Sequence, residues 1–223
     1  MAVSDYVRSR LIANGVQADH IRVCENFLPD AQIAAMPRRA PFNRKGIRNV
    51  IVVSRVDPIK RIDLLLDALD RHPPLAALNF QVYGTGWDLE ALRERAMRTH
   101  RQVNFAGFSD RIPEAIQQSD ALLHTCPVEP FGLAILEAMA ARVPVLVPDQ
   151  GGAAGLVEPG ISGFHFTAGD PDALAAALLK LAGLPAMNLN QIVLAAAARL
   201  SAHYSGTAGM AAYRKLFTEL PYG

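Results

Sequence analysis

Between residues 49 and 166, short apolar runs rich in branched side chains alternate with stretches whose apolar positions recur at helical spacing. The runs are NVIVVS from Asn49, FQVYG from Phe80, VNFAG from Val103, ALLHTC from Ala121, VPVLVP from Val143 and GFHF from Gly163. Runs of this kind suit strands covered on both faces, because neither side of the pleat is reserved for water. The stretches between them, IKRIDLLLDALDRH, DLEALRERAMRTH, RIPEAIQQS and FGLAILEAMAAR, and DPDALAAALLKLAG after the last, set apolar positions against charged remainders and predict helices. The alternation predicts an α/β fold, a parallel sheet with helices on both faces. Asp57-Pro58 and Asp170-Pro171 read as an N-cap followed by proline in the first helical turn.

The flanks differ. VSDYVRSRLIANGVQADHIRVCENF reads as a helix, a glycine turn and a short strand, and LPDAQIAAMPRRAPFNRKGIR as a connection rich in proline and arginine. The tail from Asn188 to Leu220 reads as mostly helical, divided near Ser205-Gly206. The expected divisions are a leading piece and linker over 1–40, a ligand-binding domain over 41–187, and closing helices over 188–223.

Composition narrows the class. A chain of 223 residues with 51% hydrophobic and 19% charged positions can bury a substantial core. With 22 basic against 21 acidic residues, no overall field would gather nucleic acid or an anionic membrane, so any anion must be held by a local arrangement. Cys24 and Cys126 stand far apart without a CxxC pattern, and the six histidines form no HExxH, so neither a disulfide framework nor a metal site is expected. No apolar run approaches the roughly 20 residues that span a bilayer, and the opening lacks the basic end and apolar stretch of a signal peptide. The expectation is a soluble, cytoplasmic chain without a transmembrane segment.

In an open parallel sheet, ligands collect beyond the carboxyl ends of the strands. The loop after NVIVV, SRVDPIKR, sets Arg55 and Lys60 beside a helix N-terminus, where backbone amides and two cations favour an anion. The plain alternative is a pair of solvated surface charges. YGTGWD brings Gly84 and a second glycine that would let backbone approach a ligand, although Leu89 stands where a GxGxxG fingerprint needs glycine. Neither a GxxxxGK[ST] loop nor a GxSxG elbow is present. His124 ends its strand on the ligand edge, as a site residue or as a satisfied wall residue.

CPVEPFGLAILEAMAARVPVLVP carries two carboxylates. Pro130 and Gly132 break the path into a helix, leaving the amides of Phe131, Gly132 and Leu133 among its unpaired donors. A ligand rich in oxygens suits those amides, with Glu129 accepting from its hydroxyls. Glu137 lies eight positions on, roughly 12 Å along a helix, so the two carboxylates serve different atoms. Glu137 sits among apolar residues, either as a buried structural glutamate bonded to backbone or Arg142, or as a hydroxyl acceptor. After VPVLVP, Gly151 and Gly152 could admit a ligand to the backbone, whereas Gly160 and Gly163 read as turn glycines.

EPFGLAILE resembles the E-x7-E motif of retaining glycosyltransferases of the GT-B fold, especially family 4. SRVDPIKRIDLLLDAL, FQVYGTG, VNFAGF and EAMAARVPVLVPDQGGAAGLVEPGISGFHF resemble the remainder of that family's C-terminal domain in order, and the opening segment resembles the end of its N-terminal domain. The resemblance implies a Rossmann-like donor domain, the C-terminal half of a GT-B fold, that binds a UDP-, GDP- or ADP-sugar. It implies Arg55 and Lys60 on the diphosphate without a metal or other cofactor, Glu137 on the ribose, Glu129 on the sugar, and Gly107 and Phe108 by the nucleobase. It further implies transfer with retention, in glycan biosynthesis, once an N-terminal acceptor domain is supplied in the same chain or in trans. Membrane contact of a full-length enzyme would come through that half. Where the family often has glutamate after its Gly-Gly loop, this chain has Gly155. A non-catalytic nucleotide-sugar-binding subunit is the alternative, and a GT-B-fold epimerase is disfavoured for want of its acid and base carboxylates.

Overall fold

The computed structural model describes residues 1–219. Six strands form one sheet: β1 (Asn49–Val53), β2 (Asn79–Tyr83), β3 (Val103–Gly107), β4 (Ala121–Leu123), β5 (Val145–Pro148) and β6 (Phe164–Phe166). Every pairing is parallel and the order is β3-β2-β1-β4-β5-β6. All six coincide with the apolar runs. The chain leaves β1 toward β2 and β3 on one side and returns to β4 on the other, so the order reverses between β1 and β4. That reversal opens a crevice at the carboxyl ends of those two strands.

Ten helices accompany the sheet among the described residues. They are α1 (Asp5–Ala13), α2 (Asp30–Ala35), α3 (Asp63–Arg71), α4 (Leu89–Thr99), α5 (Ile112–Gln117), α6 (Leu133–Ala140), α7 (Gly152–Gly155), α8 (Pro171–Gly183), α9 (Ala186–His203) and α10 (Gly206–Glu219). Alternation along β1 divides the core. Val50 and Val52 join Leu64, Leu65 and Leu69 of α3 and Leu174 and Leu178 of α8, whereas Ile51 joins Ile135, Leu136 and Met139 of α6. α9 serves both clusters, with Leu189 and Val193 in the first and Ala196 and Leu200 in the second. Each fully buried leucine contributes about 1.5–3 kcal/mol, which fixes the helices on the sheet and its loops above it.

One capping expectation holds and four readings need revision, among them the short strand expected in the opening segment, which is only an isolated bridge between Ala2 and Val23. Asp170 caps α8, accepting from the amides of Asp172 and Ala173. Asp57 caps nothing: a 3-10 turn, Pro58–Lys60, follows it, and its carboxylate takes Arg55 Nη1 at 2.7 Å and the Trp87 amide at 3.2 Å. The proline and arginine rich connection contains α2, too short for a helical period to stand out. The Gly-Gly loop likewise carries the four-residue α7. The helical tail divides as expected, although Leu220 lies outside the described residues.

The leading and closing segments interlock. Leu28 bridges to Ser205, Phe27 meets the Tyr213 ring edge-on at 6.0 Å, and Asp30 accepts from Thr207. The linker is held below the sheet by Asp120, whose carboxylate takes Arg39 and Arg44 and the amides of Arg48 and Asn49. Among the described residues no single helix is long and apolar enough to cross a membrane.

Candidate functional site

The crevice between β1 and β4 is spanned by one ion pair. Lys60, at the end of the 3-10 turn after β1, places Nζ 2.7 Å from Glu129 Oε2 in the loop after β4, and each side chain is 15% exposed. The two loops are tied by more than charge. Thr125 Oγ1 donates to the Lys60 carbonyl at 2.7 Å, and Cys126 Sγ donates to the Ile59 carbonyl at 3.3 Å. Burial alone would raise the Glu129 carboxyl; the hydrogen bond and charge of Lys60, with help from His124 and the Phe131 amide, outweigh it and hold the carboxyl below its ordinary value.

His124 closes the group from beneath. Its Nε2 is buried without a hydrogen-bond partner, 3.7 Å from Glu129 Oε2. Burial pulls the imidazole down to about 4, opposed by the smaller attraction of Glu129 and aided by the repulsion of Lys60. Ligand atoms of His124, Cys126 and Glu129 lie within 4.8 Å of one another, a spacing an ion could bridge. The set is poorly suited to a cation, because the Lys60 ammonium already holds Glu129 and burial raises the Cys126 thiol, keeping it protonated.

Arg55 stands apart from this pair. Its side chain is 72% exposed and its guanidinium rests on the Asp57 carboxylate. Beyond Glu129, Gly132 adopts φ 107° and begins α6 with no side-chain cap, so no side chain accepts from the first amides of the helix. Phe131 offers a ligand neither part expected of it: its ring is buried edge-on to Tyr204, and its amide, expected to be unpaired, already donates to the Glu129 carboxylate. Leu133 is exposed at the same helix start. Glu137 meets Gln32 of α2 at 3.3 Å, not Arg142, and burial raises its carboxyl against the weaker opposing effect of that hydrogen bond.

The glycines have unexpected neighbours. A Cβ on Gly84 would lie 1.8 Å from the Ser54 carbonyl oxygen, and one on Gly152 would lie 2.0 Å from that of Pro130. Gly151, at φ 83°, would meet the Pro127 carbonyl oxygen at 2.9 Å, and the Gly152 amide donates to the Glu129 carbonyl at 2.6 Å. Close approach is required at all three, but what approaches is the chain's own backbone: Gly84 buttresses the Arg55 loop, and Gly151 and Gly152 buttress the Glu129 loop. Gly107 differs, because nothing lies within 4 Å of its missing Cβ and Phe108 beside it is 81% exposed. Trp87, at the head of α4, is 94% exposed on the same rim.

The sequence profile of the glycosyl transferases group 1 matches residues 38–196. The chain belongs to that family. A phosphatidyl-myo-inositol mannosyltransferase of Mycobacterium leprae is 31% identical over 189 residues, covering 81% of this chain and 49% of the relative. A GDP-mannose-dependent alpha-mannosyltransferase of Mycobacterium tuberculosis is 29% identical, covering 78% of this chain and 47% of the relative. The chain therefore spans about half the length of these curated relatives. Among solved structures, Anabaena Alr3699/HepE in complex with UDP-glucose superimposes with a TM-score of 0.81 at 25% identity, over 97% of this chain and 63% of that one. The apo lipopolysaccharide outer core galactosyltransferase WaaB superimposes at 0.79 and 21% identity, over 98% and 61%.

Within this group 1 chain, five of the six post-strand segments carry an expected site residue: Arg55 and Lys60 after β1, Gly84 after β2, Gly107 and Phe108 at the end of β3, the stretch from Glu129 to Glu137 after β4, and Gly151 and Gly152 after β5. Only Lys60 and Glu129 of this set touch through their side chains. His124, Thr125 and Cys126 complete the junction. Their signal in the sequence is a polar end to an otherwise apolar strand.

Proposed function

We propose that the chain is the donor-binding part of a retaining glycosyltransferase, holding a nucleoside-diphosphate sugar across the β1–β4 crevice. The observation that carries this reading is the Lys60–Glu129 pair at the point where the strand order reverses. A cation for phosphate and an acceptor for sugar hydroxyls stand side by side there, next to the uncapped start of α6. Phe108 offers an exposed face for a base, and Glu137 a carboxylate for ribose hydroxyls. The named substrates of the relatives and the UDP-glucose bound by the Anabaena protein support a nucleotide sugar as donor.

In the reaction, the bond between the anomeric carbon and the phosphate oxygen breaks as the acceptor hydroxyl oxygen bonds to that carbon from the same side. The hydroxyl proton passes to a phosphate oxygen. Positive charge grows on the sugar and negative charge on the departing diphosphate, so Lys60 and Arg55 stabilise the change without a metal. Acceptor binding falls to an N-terminal domain in the complete enzyme. Calorimetry with UDP, GDP and ADP tests the donor site and names the base; none of them binding would remove the reading. Donor binding with no transfer after an acceptor domain is supplied would favour a non-catalytic binding subunit.

Two substitutions grade the site. Arg55→Ala should lower turnover of the complete enzyme by about 100-fold, the cost of one oriented donor, and unchanged kinetics would remove Arg55 from the diphosphate. Glu137→Gln should separate stability from binding. A carboxyl raised by burial stabilises the fold below its ordinary value of 4.5 and loses that contribution as pH climbs through its folded value. The amide should therefore melt about 2–4 °C higher at pH 7, with no advantage near pH 4, while donor affinity falls about tenfold. A lower melting temperature at pH 7 would mean that the carboxylate supports the fold.

A further inference from the structure

Lys60 and Glu129 face a conflict. In the ligand-free chain they neutralise each other at 2.7 Å, yet a bound donor needs the ammonium on its phosphates and the carboxylate on its sugar. Once the ammonium turns away, Glu129 is left mostly buried with a single backbone donor, the amide of Phe131. Such a carboxylate either gains another donor or takes up a proton, and a protonated Glu129 accepts hydroxyl hydrogens poorly.

The groups facing Glu129 are Lys60 from the β1 loop, Phe131 N–H from its own loop, and His124 from the end of β4. His124 is the one held in reserve. Its Nε2 is buried, has no partner, and lies 3.7 Å from the very oxygen that Lys60 occupies, about 1 Å beyond hydrogen-bond contact. The β4 strand fixes its backbone, with the His124 amide bonded to the Leu146 carbonyl at 2.9 Å. An orphaned polar atom in a closed interior is costly unless some state of the protein uses it.

We infer that His124 is a positioning residue for Glu129: when the Lys60 ammonium passes to a bound phosphate, His124 Nε2–H takes over Glu129 Oε2 and keeps the carboxylate ionised and aimed. The groups packed around the imidazole are Glu129, which attracts a proton to it, Lys60, which repels one, and the Cys126 thiol. Burial keeps the ring neutral at physiological pH, so it acts as a donor of one hydrogen and not as a second cation competing for the phosphate. The role rests on the donor-site reading of Lys60 and Glu129.

The test uses the whole chain with UDP, GDP and ADP. Nitrogen-15 NMR of the histidines reads the His124 Nε2 resonance before and after saturation, and it needs no variant. Movement of that resonance to the position of a hydrogen-bonded N–H is expected. Calorimetry in buffers of different ionisation enthalpy then counts protons taken up on binding. Uptake should be near zero for the native chain at pH 6, substantial for His124→Phe with about tenfold weaker binding, and near zero again for His124→Gln, whose amide nitrogen can reach the same place. Binding of a diphosphate with an unmoved His124 resonance, or equal proton uptake in the Phe and Gln variants, would overturn the role of His124 and leave the donor site standing. Failure of all three diphosphates to bind the native chain would overturn both together.

Discussion

Lys60→Ala is expected to be the most damaging single substitution at the site, lowering turnover of the complete enzyme about 1,000-fold. It should exceed Arg55→Ala because of burial. Arg55 is largely exposed and works in high dielectric even though the Asp57 carboxylate it rests on is mostly covered, whereas Lys60 is itself screened from water and aimed across the crevice. Removing Lys60 also takes from Glu129 its strongest partner, and breaking a buried pair from one side typically costs about 3–5 kcal/mol. Titration gives a separate signature. In the native chain the Glu129 carboxyl is held below its ordinary value, so its contribution is present above 4.5 and fades on acidification. Without Lys60 most of that depression is lost, because His124 and the Phe131 amide are weaker restraints than the ammonium, so burial weighs more heavily on the ionised form as pH rises. The melting-temperature gap between Lys60→Ala and the native chain should be wide at pH 7 and close toward pH 4. A gap independent of pH would show that Glu129 does not depend on Lys60.

Gly152→Ala should do comparable harm without touching any charge. Its added Cβ would lie 2.0 Å from the Pro130 oxygen and 2.5 Å from the Pro130 carbonyl carbon, both backbone atoms that no rotamer change can remove. The loop carrying Glu129 must move, and the 2.6 Å hydrogen bond from the Gly152 amide to the Glu129 carbonyl breaks first. A loss of about 3 kcal/mol, or about 6–12 °C in melting temperature, is expected together with at least tenfold weaker diphosphate binding. Gly155→Ala, three residues along, is the control, because nothing lies within 4 Å of its new methyl group. Equal melting temperatures for the two variants would mean that the loop yields at no cost.

These neighbours explain what the sequence could and could not convey. The strands were legible because branched apolar runs such as NVIVV have few other uses, and the carboxyl edge that brings Lys60 and Glu129 together because a parallel sheet sets its post-strand loops there. The glycine pattern at 84, 151 and 152 disclosed that something passes close, but not whether it is substrate or backbone. Local spacing is equally silent about Gln32 as the partner of Glu137, 105 positions away, and about a short α2 that supplies it. Asp57 misled for a related reason. A carboxylate before proline is a good cap only when no cation competes, and here Arg55 and the Trp87 amide claim it.

Trp87 is the only tryptophan in the chain and stands almost wholly in water at the rim of the crevice. Its indole therefore has nearly the same surroundings in the folded and unfolded protein, so its emission is a poor witness to melting. It is a sensitive witness to whatever settles on the rim. A ligand that settles against Trp87 would change its emission, whereas loss of the fold has to be followed by circular dichroism.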